Sequence, residues 1–194
     1  MVGRAAILAM LLLVASPLPA LTQSASANES DARPTPTALR MALAGTWKGA
    51  LGYRDYQTNK LYELPVTTTI VAVPDGVTLV QRSIFDEGAG QQPVWITTTS
   101  IDDPKSMTVA SASYRKGNKP ELETEAIALE RYAGPTDWTI SYSQTGEDDD
   151  KPAQIRITET RKGDTLLSIK EVRPVTGNGP WAFRNQTKLT RTGD

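Results

Sequence analysis

From Gly45 to Arg191 the chain is a succession of alternating apolar and polar segments, each closed by a short turn rich in Gly, Asp or Pro, with almost no room for a helix. Period-two alternation sends one set of side chains to a buried face and the other to a solvated face, the pattern of antiparallel strands. Ten segments are discernible: Trp47 to Tyr56, Leu61 to Val73, Val77 to Phe85, Val94 to Ile101, Met107 to Tyr114, Leu122 to Tyr132, Trp138 to Gln144, Gln154 to Thr160, Leu166 to Val172 and Trp181 to Arg191. The breaks carry turn chemistry, as in Pro74-Asp75-Gly76, Lys116-Gly117-Asn118, Gly134-Pro135 and Gly177-Asn178-Gly179-Pro180. Alternation alone fits a closed barrel or a sandwich, and short turns between successive strands favour an up-and-down meander. The expected fold is all-β: a single antiparallel up-and-down β-barrel of about 8–10 strands, occupying residues 43–192.

Ahead of this domain lies a segment of a different kind. Arg4 is followed by an unbroken apolar stretch, Ala5 to Val14, and Ala25-Ser26-Ala27 offers a small-x-small cleavage pattern. Residues 1–27 therefore read as a signal peptide, with Leu18-Pro19-Ala20 as a second cleavage point. The apolar run is too short for a permanent membrane anchor, and the expected location is secreted or periplasmic. Residues 28–42, with Arg33-Pro34-Thr35-Pro36-Thr37, read as a linker in which Ala38 to Ala44 has the makings of one helical turn plugging a barrel end.

The chain carries 21 Lys+Arg and 22 Asp+Glu, and cleavage after Ala27 removes Arg4 and no acid. The mature net charge of −2 argues against a nucleic-acid partner, which requires a basic face to neutralise phosphates. Cys and His are both absent. No disulfide staples the domain, so stability rests on buried apolar surface. The usual general base, thiolate chemistry and the common zinc and haem ligands are missing as well.

Within the strands, Trp47, Leu51 and Tyr53 share one face, as do Trp138, Ile140 and Tyr142, and Trp181, Phe183 and Leu189. Met107, Val109, Ser111 and Ser113 share another, so part of the interior is small and semi-polar, which leaves room for a ligand. The cavity candidates are Trp47, Tyr53, Trp95, Tyr114, Trp138, Tyr142, Trp181, Phe183 and Arg184. An inward Arg would hold a carboxylate by a two-pronged contact. Alternation nevertheless sends Arg54, Arg82 and Arg184 to the side opposite their apolar neighbours unless a bulge shifts the parity.

Leu43-Ala44-Gly45-Thr46-Trp47, a Gly-x-Trp opening the first strand of a barrel-like chain, resembles the opening motif of the lipocalin and wider calycin group. The resemblance implies that the Trp plugs the closed end of the barrel and that an Arg of the last strand, Arg191 or else Arg184, packs over it. The chain departs from that group in lacking a disulfide, a clear Thr-Asp-Tyr motif and a C-terminal helix, and in showing ten apparent strands rather than eight. It is also similar to exported bacterial proteins of this general type.

Other motifs carry no chemistry on this reading. Ser113-Tyr114-Arg115-Lys116 has Ser-x-x-Lys spacing, but in a strand the two side chains point to opposite sides. Glu147 to Asp150 lacks the spacing of a calcium loop and reads as a solvated hairpin tip. Glu121, Glu123 and Glu125 read as an exposed strand face. No catalytic group, metal site or cofactor is expected. The functional expectation is an exported lipocalin-like barrel binding a small apolar or amphipathic ligand; the alternative is a non-catalytic envelope protein that contacts a partner through an outer sheet face.

Overall fold

The computed structural model describes residues 33–54, 58, 60–176 and 179–193. The expected signal segment, the start of the expected linker, Asp55 and Tyr56 of the first expected strand, and Gly177-Asn178 lie outside them.

A short helix, α1 (Pro36–Met41), precedes ten strands: β1 (Gly45–Arg54), β2 (Leu61–Ala72), β3 (Thr78–Phe85), β4 (Val94–Asp103), β5 (Thr108–Arg115), β6 (Glu121–Gly134), β7 (Asp137–Asp148), β8 (Lys151–Lys162), β9 (Thr165–Pro174) and β10 (Ala182–Gly193). Each pairs antiparallel with its sequence neighbours, and β1 pairs with β10, so the sheet closes on itself as an up-and-down barrel. Closure removes the exposed strand edges.

Local chemistry sets each boundary. Thr35 caps α1 by accepting from the Ala38 N–H, and Pro36 stands at the first helical turn, where its missing N–H has no partner to lose. In the β2–β3 turn the Asp75 carboxylate accepts from the Val77 and Thr78 N–H groups and from the Thr78 hydroxyl. The β7–β8 turn places Asp149 and Asp150 at φ 54° and 57°, the left-handed pair that a tight two-residue hairpin demands. The acidic run is thus a hairpin tip.

The β1–β10 seam requires a glycine. A Cβ on Gly49 would lie 1.9 Å from the Lys188 carbonyl oxygen, so only a bare backbone lets the two strands meet there. Beyond the seam, α1 and the Leu43–Ala44 link close one end of the barrel, with Leu39 and Leu43 buried in the core. The helical turn sits slightly N-terminal to Ala38–Ala44, because Thr35 and Pro36 start it earlier.

At the same end Trp47 is fully buried and its indole N–H donates to the Leu43 carbonyl at 2.9 Å. Arg191 lies 5.6 Å from its ring, in the place the Gly-x-Trp resemblance implies; Arg161 lies 5.7 Å away. These guanidiniums also bind the entering chain, Arg191 through the Ala44 carbonyl at 2.7 Å and Arg161 through that of Ala42 at 3.2 Å. Burial, then the proximity of Arg191, holds Arg161 below its ordinary pKa. Trp138, also fully buried, donates to the Pro135 carbonyl at 3.2 Å.

Candidate functional site

Inward-facing residues of the barrel enclose a cavity of about 300 Å³. That is about ten times the ~30 Å³ a molecule of liquid water occupies, and it falls at the lower end of small-molecule sites. Its wall has two chemistries. Val66, Ile70, Leu79, Val109, Leu166 and Leu189 form an apolar surface, while β2 to β5 contribute Thr68, Ser83, Thr98, Ser100, Ser111 and Ser113. Small hydroxyl residues leave volume that larger side chains would fill. The hydroxyls pair across strands, Thr68 with Ser83 at 2.9 Å and Thr98 with Ser113 at 2.8 Å.

Charged groups occupy the same space. Arg40 of α1 reaches in, donates to the Ser100 hydroxyl at 3.0 Å and forms a buried ion pair with Asp102. Its guanidinium lies 5.6 Å from the Tyr142 ring, and the Tyr142 hydroxyl donates to Glu159 at 3.2 Å. Burial raises the pKa of Glu159, opposed by Arg40 and by the Tyr142 hydrogen bond, and burial likewise raises that of Tyr142.

Glu125, 8 % exposed, lines the cavity beside Glu123. Burial first, and the neighbouring Glu123 second, push Glu125 up to about 7, against the attraction of Lys170 and Arg40. Its Oε1 has no hydrogen-bond partner. Glu123 accepts from the Gln144 amide at 3.1 Å. Glu121 and Glu123 are exposed as expected, whereas Glu125 is buried and does not belong to an exposed face. β6 is polar on its inner side here, and Leu122 on its outer side is 77 % exposed. The signal was available in the parity of Ile127, which is buried and lies on the same face as Glu125 and Glu123.

Of the nine cavity candidates, Tyr142 lines this cavity. Trp47 and Trp138 are fully buried in the core and do not line it. Tyr53, at the opposite end of β1, packs against Tyr62 with ring centroids 5.1 Å apart. Trp95 and Tyr114 are half exposed and lie outside the cavity, because they alternate with the inward Thr98, Ser100, Ser111 and Ser113. Arg82 lies 5.7 Å from the Trp95 ring. Trp181 is held between the guanidiniums of Arg156 and Arg173, at 4.3 and 4.5 Å, and Phe183 pairs with Glu171 of β9. The register shifts between Phe183 and Asn185. Within that shift Arg184, ion-paired with Asp148, joins Ala153, Val172 and Ala182 around a second recess of about 230 Å³.

No protein family and no curated protein matches the chain. Among solved structures it is similar to the crystal structure of Rv2717c from M. tuberculosis, with a TM-score of 0.55 and 16% sequence identity over 82% of this chain and 99% of that one. The two share a fold. A protein of unknown function from the DUF3598 family of Nostoc punctiforme aligns over 82% of this chain and 100% of its own at 7% identity, with a TM-score of 0.26, too low to bear on the fold.

Proposed function

We propose that the protein is an exported, lipocalin-like binding barrel that holds one small amphipathic molecule in its interior, residues 1–27 serving as the cleaved export signal. The observation that carries this reading is the mixed lining of the cavity: about 300 Å³, with apolar side chains interleaved with hydroxyls and with Glu125, which has an unpartnered carboxylate oxygen. A barrel interior serving stability alone would be filled by side chains. Specific ligand sites combine an apolar lining with a few placed polar groups, as here. The test is native mass spectrometry of the protein purified without detergent, followed by solvent extraction. A discrete added mass is expected. Protein that stays bare after incubation with a lipid extract overturns the reading.

One observation favours the second reading, a partner held on an outer face. Across β2 to β6 the outward residues include Val71, Trp95, Ile101, Tyr114 and Leu122, all substantially exposed and interspersed with Thr and Ala. Exposed apolar area of this kind marks interaction surfaces. Bare protein that elutes as an oligomer, and becomes monomeric when Trp95 and Ile101 are changed to Lys, would establish that reading instead.

A further inference from the structure

We propose that Glu125 recognises the ammonium head of a small aliphatic amine held inside the barrel, with the aliphatic part against Val66, Ile70, Leu79 and Leu189. This rests on the binding-barrel reading and names its ligand class.

The inference follows from which polar atoms lack partners. Among the buried side-chain atoms of the described residues these are Glu125 Oε1 and Asp102 Oδ2, and both are acceptors. Several of the donors around the cavity are already engaged. Thr68 is paired with Ser83 and Thr98 with Ser113, while Arg40 serves Asp102 and Ser100. A ligand that satisfies the unpartnered oxygen of Glu125 must therefore donate.

Charge points the same way. Facing Glu125 are Glu123 from its own strand, Glu159 and the Tyr142 hydroxyl from β8 and β7, Lys170 from β9 and Arg40 from α1; β5 places the apolar Val109 opposite it. Arg40 is bound to Asp102. The set thus holds four carboxyl groups and two basic side chains, so a carboxylate ligand would add to an acidic excess and a cation would relieve it. An ammonium offers three donors from one small head, enough to reach Glu125 and a neighbouring acceptor together.

The amine enters protonated, and Glu125 binds it in the ionised form. Where Glu125 carries a proton, that proton passes to solvent on binding. No bond forms or breaks in the ligand. Affinity consequently rises as pH increases from about 5.5 to about 8, over which an aliphatic amine, like a Lys side chain, keeps its charge.

The test is calorimetric titration of the protein with octylamine, 1-octanol and octanoate at about pH 5.5 and about pH 8. The expected result at the higher pH is roughly tenfold or greater preference for octylamine over each of the others, a preference that shrinks at the lower pH. Glu125→Gln should lower octylamine affinity by roughly tenfold and flatten its pH dependence, with unfolding still cooperative. Octanol or octanoate binding as tightly as the amine overturns the inference and leaves the binding barrel standing. Failure of all three to bind overturns both.

Discussion

Arg40 on α1 and Asp102 on β4 form an ion pair at the closed end of the barrel, their side chains 9 % and 1 % exposed. The contact ties the plug to the wall, since the two residues are 62 positions apart. Removing one partner strands a buried charge. Arg40→Ala or Asp102→Ala should each cost about 3–5 kcal/mol. Replacing both with Leu should cost far less than the sum of the single changes, because no uncompensated charge remains. Urea denaturation of the two singles and the double, treated as a cycle, measures this; additive losses would mean that the pair does not couple the plug to the barrel.

Glu125 makes the fold pH-sensitive in a direction opposite to an ordinary surface carboxylate. Its folded pKa is raised from 4.5 to about 7, so between those values the native state binds more protons than the unfolded state. Stability therefore falls as pH rises through that window, by about 3 kcal/mol for a shift of this size, and levels off above it. Below about pH 4.5 both states are protonated and the penalty vanishes. Glu159 shifts the same way and adds to the slope. Glu125→Gln should raise stability near pH 8 and reduce the slope between pH 5 and 7. Denaturation midpoints across pH decide the matter, and an unchanged slope would show Glu125 ionising as freely as in water.

Trp47 and Trp95 provide a contrast between two tryptophans of unlike burial. Trp47 is fully buried under Arg161 and Arg191, whereas Trp95 is 49 % exposed with Arg82 beside it. Trp47→Ala should cost about 3–5 kcal/mol through the cavity it leaves. Trp95→Ala forfeits partial burial and an exposed cation–π contact of about 0.5–1 kcal/mol. Equal losses in thermal unfolding would contradict the difference in packing.

Most of the fold was legible because alternation and turn chemistry act locally. Each of the ten strands lies where its apolar period and flanking Gly, Asp or Pro indicate, and the Gly45-Thr46-Trp47 motif lies at the closed end. The site was less legible because inwardness depends on parity and not on residue type. Trp95 and Tyr114 are aromatic, yet on strands whose Ser and Thr face inward they are left outside. Glu125 is charged yet inside, in phase with Ile127. The shift between Phe183 and Asn185 has no Gly or Pro to announce it, so the environments of Trp181, Phe183 and Arg184 follow from pairing geometry that period-two reading does not contain. Arg40 escaped notice for a further reason: its importance arises from the plug folding back to Asp102, a long-range contact with no local signature.

Closure itself rests on Gly49. Its missing Cβ avoids the Lys188 backbone, and backbone atoms in a paired strand cannot rotate away as a flexible side chain would. Gly49→Ala must therefore spread β1 from β10 or shift their register, at a cost at or above the usual overpacking range of about 1–3 kcal/mol. Gly134→Ala is the matched control, because a Cβ there meets nothing within 4 Å. The expected outcome is a clear loss of thermal stability for the first variant and little change for the second. Hydrogen exchange should localise the damage: faster amides along Trp47 to Leu51 and Thr187 to Arg191, which face each other across the seam, with the β7–β8 pair still protected. If Gly49→Ala melts like the unmodified protein, the seam tolerates a separation that this register does not show, and closure depends on other contacts between β1 and β10.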